Sequence, residues 1–262
     1  MGDLEAKLHP ALRSLWRFGR AELAALAAMI VAAGGLLAFL EIADEMEDEE
    51  GRSVDWQVLD ILRPSANPHD PWGPPWIEHA MLDLTSFGGV ANLAVIAVAA
   101  VIFLLIQRRA ASALLLMVSL GGGLALSETI KALFGRDRPP IAYRAMETLN
   151  ASFPSGHALL STVTYLTLGA LLAQAMQRKR LRVFVFGVAV FLALIVGLSR
   201  IYLGVHWTTD VLAGWSLGAA WAMVCWLAAW AVKRWLAHYR MKTTPHEAEA
   251  GIGLATERQA HV

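Results

Sequence analysis

The sequence predicts an all-α membrane protein, a bundle of six transmembrane helices. Three observations lead there. The 262 residues are 56% hydrophobic and 17% charged, against roughly 45–50% and about 25% in an average soluble domain. Six apolar runs approach the roughly 20 residues that a helix needs to cross the hydrocarbon core. The basic residues also fall alternately on the two sides of those runs, as a fixed orientation requires. This composition excludes a disordered chain and an ordinary soluble enzyme. Lys+Arg and Asp+Glu are equal at 22 each, so the global charge points to no nucleic-acid partner.

The first run, 23–42, follows Arg13, Arg17 and Arg20 as a signal peptide would. It is too long for the apolar region of such a peptide and is followed by acids, so it reads as a retained anchor. Positions 44–50 carry six acids in seven residues, a solvated and mutually repelling face. The stretch 64–76 mixes five prolines with Trp72 and Trp76, which predicts an irregular loop resting on the membrane interface. The further spans are 88–106, 112–133, 158–176, 183–198 and 211–232. Gly121, Gly122 and Gly123 in the third permit close helix contact. The fifth is the shortest. Cys225, the one cysteine, lies in the sixth and reads as a buried free thiol. Beyond Lys242 the chain is polar, and no regular structure is expected there.

The domains that follow are a cytoplasmic tail, 1–22, a membrane domain, 23–232, and a cytoplasmic tail, 233–262. With six spans, 15 of the 22 cations lie on the side of the two termini, among them Lys7, Arg108, Arg109, Arg178, Lys179, Lys233 and Arg234. By the positive-inside rule both termini are cytoplasmic.

The polar residues that interrupt the hydropathy pattern form three blocks, which this orientation places together at the outer face. Lys131, Arg138 and Pro139 end the third span. Pro154, Ser155, Gly156 and His157 open the fourth. Ser199, Arg200, His206 and Asp210 join the fifth to the sixth. Such a set suits a phosphate ester. Forked arginine donors match anionic oxygens in pairs, and Lys131, Arg138 and Arg200 would balance transition-state charge. Ser155 and Gly156 precede a helix whose N–H groups favour an anion. His206 and Asp210, four apart, share a face on a helical turn, so the carboxylate can hold one ring nitrogen protonated and aim the other at phosphorus. His157 is left as general acid, for which an ordinary imidazole pKa of about 6.5 is suited. Singly, each residue has a simpler explanation: cations snorkel at span ends, acids cap helices and prolines mark boundaries. Together, in this order and spacing, they point to phosphoryl transfer.

The pattern resembles the signature of the type 2 phosphatidic acid phosphatase superfamily of integral membrane lipid phosphatases: Lys, six residues, Arg-Pro; then Pro-Ser-Gly-His; then Ser-Arg, five residues, His, three residues, Asp. The match, at 131–210, has no departure. The resemblance implies a core like that of acid phosphatases and vanadium haloperoxidases and a phosphohistidine formed on His206. It implies that Asp210 orients that ring and His157 protonates the leaving group. Lys131, Arg138, Ser155, Gly156 and Arg200 would hold the phosphate, with no metal and no cofactor. The soluble vanadium haloperoxidases share the signature, but six spans argue against that chemistry here.

The sequence therefore predicts a metal-independent hydrolase of lipid phosphate mono- or diphosphate esters. Phosphatidic acid, phosphatidylglycerol phosphate and undecaprenyl diphosphate types are the candidate substrates, and in a bacterium catalysis would lie on the periplasmic side of the inner membrane. Two rivals are a phosphoryl or head-group transferase using the same intermediate, and a lipid transporter. Intramembrane charges near span midpoints would favour the transporter, whereas these lie at span ends. Among residues outside the signature, Glu128 is spaced to pair with Lys131. Tyr202, Trp207 and Trp72 read as interfacial aromatics, and Asp137 as an orienter of its flanking arginines. Oligomeric state is not encoded in any recognisable pattern.

Overall fold

The apolar runs are helical in the computed structural model, which describes residues 10–46, 48–148 and 150–259, with side chains at the two ends from 22 to 239. The expectations for Lys7 and most of the N-terminal tail lie outside these side chains. Eight α-helices and one 3₁₀ turn are formed among the described residues: α1 (Pro10–Glu45), α2 (Glu49–Ile61), α3 (Pro75–Ser86), α4 (Val90–Ile106), α5 (Ala110–Phe134), the 3₁₀ turn (Ile141–Tyr143), α6 (Gly156–Ala175), α7 (Lys179–Tyr202) and α8 (Thr208–Gln259). No strand occurs among them. Backbone polar groups cannot go unpaired in lipid, and helices satisfy them locally.

Five helices are long and apolar enough to cross a membrane: Glu22–Glu45, Ala110–Phe134, Gly156–Ala175, Lys179–Tyr202 and Thr208–Tyr239. The second expected span, 88–106, departs from the sequence expectation: α4 is long and apolar enough only together with α3, as a pair bent by 46°. The break falls at Gly88 and Gly89, and Glu78, His79 and Asp83 on α3 hide the continuation from hydropathy. The short fifth run is the middle of a 24-residue helix, α7. Its first turns are basic, which hydropathy counts against a span. The last helix, α8, is continuous to Gln259. Residues 246–250, His-Glu-Ala-Glu-Ala, include good helix formers.

The core is built on α6, which packs against α5, α7 and α8, while α1 lies along α8. Residues 158–165 of α6 are all buried. Phe153, Leu159, Val163, Leu217 and Ala213 form the centre of the main apolar cluster, with Phe39 of α1 closing it. The Gly121–Gly123 expectation resolves unevenly. A Cβ on Gly122 would stand 2.3 Å from the Trp221 ring, while one on Gly121 meets nothing. The Trp221 indole uses the space and donates to the Ser119 carbonyl at 2.8 Å.

The connection between α2 and α3 is pinned by Arg63, which is 6% exposed. Its guanidinium donates to the carbonyls of Leu62, Pro68, Tyr143 and Tyr202, each at 3.0 Å. Gly204, at φ 65°, makes the turn that follows α7. A Cβ there would fall 2.1 Å from the Tyr143 carbonyl, so glycine is required both by conformation and by space.

Gly122→Ala is expected to cost about 1–3 kcal/mol through overpacking, whereas Gly121→Ala should leave stability unchanged or raised. Thermal unfolding of the two variants in the same detergent tests this. Equal effects would mean that Trp221 does not rest on the α5 backbone.

Candidate active site

The three polar blocks meet at one end of the bundle. Lys131 ends α5, Ser155 and Gly156 open α6, Arg200 ends α7, and His206 stands just before α8. Loop 135–155 closes over them, held at its neck by the Ser152 N–H to Arg136 carbonyl bond of 2.8 Å. Lys131 is 8% exposed, Arg200 2%, His206 3% and Asp210 0%. Such burial for charged groups requires partners.

His206 is held from both ring nitrogens. Nε2 lies 3.1 Å from Nη1 of Arg138. A guanidinium can only donate, so Nε2 carries the lone pair and Nδ1 the proton. That proton points to Oδ2 of Asp210 at 3.3 Å. The geometry differs from the helical-turn expectation in one respect. His206 precedes the helix, and Asp210 is its third residue, reaching back to accept the Trp207 N–H at 2.9 Å. This is half of a capping box, so one carboxylate both starts α8 and orients the ring. Ser152 Oγ donates to Oδ2 of Asp210, and the Asp210 carbonyl accepts the Ser155 N–H at 2.9 Å. The second and third blocks are thus joined through the backbone.

The cations surround this ring. Arg138 also donates to the carbonyls of Asn150 and Val205, both at 2.7 Å. Lys131 does not pair with Glu128. Its Nζ donates to the Ala151 carbonyl at 2.8 Å, and Glu128 lines the cavity instead. Arg200 Nη1 donates to Thr85 Oγ1 at 3.0 Å, while its buried Nε has no hydrogen-bond partner. Ser155 accepts the Ala158 N–H at 3.5 Å and so caps α6. Gly156 lets that turn approach Ser127 and Lys131, whose atoms lie 3.4 and 3.6 Å from where a Cβ would be. His157, half-buried on the first turn of α6, borders the same space.

That space is a cavity of about 510 Å³. Lys131, Arg138, His157, Arg200 and His206 line its polar part and Val90, Leu124 and Leu160 its apolar part. Those three apolar residues also begin a groove of about 380 Å³ between α4 and α5, which continues past Leu93, Ala97 and Ile102 along the bundle. Among the described residues no group of three or more His, Cys, Asp or Glu side chains is placed to hold a metal ion.

Sequence reasoning missed four participants. Ser152, Asp55, Arg136 and Thr209 all bond to Asp210 or to one another. Asp55 carries no motif signal, and Arg136 was visible only as one more cation near Lys131. Tyr202 and Trp207 are anchored to backbone carbonyls: the Tyr202 hydroxyl donates to that of Trp72 at 2.9 Å and the Trp207 indole to that of Asp137 at 2.9 Å.

The long apolar helices define a multi-pass membrane protein whose buried cations gather at their common end. A sequence profile described as the PAP2 superfamily matches residues 112–234. Phosphatidylglycerophosphatase B of Bacillus subtilis (strain 168) is 32% identical over 145 residues, 55% of this chain and 71% of that protein. An undecaprenyl-diphosphatase of Sulfolobus acidocaldarius is 32% identical over 108 residues, 39% of this chain and 48% of that protein. The crystal structure of the first transmembrane PAP2 type phosphatidylglycerolphosphate phosphatase, from Bacillus subtilis, superposes with a TM-score of 0.69 at 26% identity, covering 75% of this chain and 94% of that one. Aquifex aeolicus LpxE shares the fold at a TM-score of 0.51, with 20% identity over 65% of this chain and 93% of that one. The chain belongs to the PAP2 superfamily.

Burial pushes the His206 imidazole down to about 3, against the pull of its bonded Asp210. An unfolded histidine titrates near about 6.5. Between those values the unfolded chain binds a proton that the folded chain refuses. The ring therefore carries no stability penalty above about pH 6.5, and stability is lost as pH falls towards 3. Thermal unfolding followed from about pH 7 to about pH 4 should show a shallower acid loss in His206→Asn than in the wild type. Identical slopes would mean that the ring is not held neutral.

Proposed function

We propose that this protein hydrolyses lipid phosphate mono- or diphosphate esters through a phosphohistidine on His206. The observation that carries this reading is the His206 ring fixed between Asp210 and Arg138 at a cavity lined by three cations. The phosphoryl oxygens of the substrate take over the Arg138 Nη1 donor, the freed Nε2 lone pair attacks phosphorus, the N–P bond forms, and the bond from phosphorus to the lipid oxygen breaks. His157 gives its proton to that oxygen. The ring becomes a cation as it is phosphorylated, and the buried Asp210 carboxylate stabilises it. Water then attacks phosphorus, His157 takes back a proton, and phosphate leaves with His206 restored as a neutral ring.

Lys131, Arg138 and Arg200 hold the phosphoryl oxygens, together with the α6 N-terminus at Ser155 and Gly156. The unpaired Nε of Arg200 supports this assignment, because a buried guanidinium donor without a partner is costly unless an anion takes it. No metal enters the scheme. The groove between α4 and α5 supports a lipid substrate: it shares Val90, Leu124 and Leu160 with the cavity and is apolar along its length, so an acyl or prenyl chain stays in the bilayer while its phosphate reaches His206. Phosphatidic acid, phosphatidylglycerol phosphate and polyprenyl diphosphate all present this combination. The positive-inside distribution supports cytoplasmic termini and a site on the external or periplasmic side of the cell membrane.

His206→Ala is expected to abolish phosphate release from micellar lipid phosphates by the purified protein, and normal turnover in that variant would overturn the assignment. A bulky side chain in the groove tests the lipid path separately. In Ala97→Phe, kcat/KM for a long-chain lipid phosphate should fall by about tenfold relative to a short-chain analogue, equivalent to about 1.4 kcal/mol of lost binding. An unchanged ratio would place the chain elsewhere.

A further inference from the structure

We propose that Asp55 and Arg136 are positioning residues of this reaction, a carboxylate–guanidinium pair reaching from the outer helix α2 to the carboxylate that orients His206. The inference rests on the reading of His206 as nucleophile. Arg136 is forked between two acids. Its Nη1 donates to Oδ1 of Asp210 at 2.6 Å and to Thr209 Oγ1 at 2.7 Å, and its Nη2 donates to Oδ2 of Asp55 at 2.8 Å. Asp55 in turn accepts the Thr209 N–H at 3.0 Å and the Thr209 hydroxyl at 2.7 Å. The Thr209 hydroxyl accepts from Arg136 and donates to Asp55, so it bridges the two.

The division of labour at Asp210 gives the pair its meaning. Oδ2 receives His206, Trp207 N–H and Ser152, while Oδ1 receives Arg136. With Arg136 gone, Oδ1 loses that bond and the carboxylate plane is free to turn, carrying the ring with it. Arg136 does not line the catalytic cavity, although it stands between Lys131 and Arg138 in the chain. Its guanidinium carbon lies 5.9 Å from the centre of the Trp207 ring, on which Trp56 stands edge-on at 5.1 Å. The pair is thereby shielded from water on that side. A buried ion pair is poor evidence of a stabilising device, since desolvation offsets most of its attraction. Two carboxylates sharing one guanidinium leave a net negative charge, which the cation formed on phosphorylating His206 neutralises. Asp55, at 2% exposure, thus keeps Arg136 from cancelling the field of Asp210 at the ring. It lies outside residues 112–234 matched by the family profile.

The test is steady-state phosphate release by the full-length protein in micelles, comparing wild type with Asp55→Asn, Arg136→Lys, Arg136→Gln and the double variant Asp55→Asn/Arg136→Gln. Asp55→Asn and Arg136→Gln should each lower kcat by about 10- to 100-fold, the scale of a small misplacement of a reacting group, with KM within about twofold. Arg136→Lys should recover part of the loss in Arg136→Gln. The double variant should lose no more than Arg136→Gln alone, because the two residues act in series. Wild-type kinetics in the variants, losses confined to KM, or multiplying losses in the double variant would each overturn the inference. If Asp55→Asn does not yield folded protein, Arg136→Lys and Arg136→Gln decide by the same split. A wild-type protein that releases no phosphate would overturn the phosphatase reading and this inference with it, whereas an active wild type with unaffected variants would overturn the inference alone.

Discussion

A carboxylate with no access to water must be surrounded by donors, and the site is organised around that requirement at Asp210. Its two oxygens receive Ser152, the Trp207 N–H, His206 and Arg136, and its carbonyl receives the Ser155 N–H. The five donors come from three parts of the chain: the loop after α5, the mouth of α6 and the turn before α8. One buried residue therefore fixes the register of three helix ends. Were Asp210 replaced by a group with fewer acceptor sites, several buried donors would be orphaned together, each at a cost of about 1–3 kcal/mol.

The membrane makes this arrangement possible and limits where it can be. Helices crossing hydrocarbon have little freedom to place polar atoms along their length, so the polar side chains gather at one end of the bundle. The same requirement explains why the lining changes character within a few residues. Val90, Leu124 and Leu160 border both the cationic cavity and the apolar groove, so a molecule with a charged head and a long tail meets matched surroundings at each end. Behind the cavity, Arg63 ties the end of α2 to the carbonyls of Tyr143 and Tyr202.

Much of this was legible in the sequence, for physical reasons that differ between elements. Spans could be read because lipid demands continuous apolarity, and the three blocks could be read because phosphoryl transfer demands particular side chains at fixed spacing. The α3–α4 pair was legible only in part, since its first helix carries Glu78, His79 and Asp83 and looks like loop. Lys131 was expected to turn to Glu128, one helical turn away, but finds the Ala151 carbonyl of a loop that closes only in the folded chain. The His206–Asp210 pairing was anticipated as a face of a helix and is instead a capping contact. Asp55 was illegible altogether. A lone acid in an acidic segment gives no sign that it will meet Arg136 and Thr209, 81 and 154 residues further along the chain.

The most direct measurement is chemical. The protein is mixed with a radiolabelled lipid phosphate and quenched in alkali within the first turnover, and the labelled peptide is mapped by mass spectrometry. A base-stable, acid-labile phosphoryl group on His206 is the expected result. Label on another side chain, or turnover in which no phosphoenzyme forms, would remove the nucleophile around which the site has been interpreted.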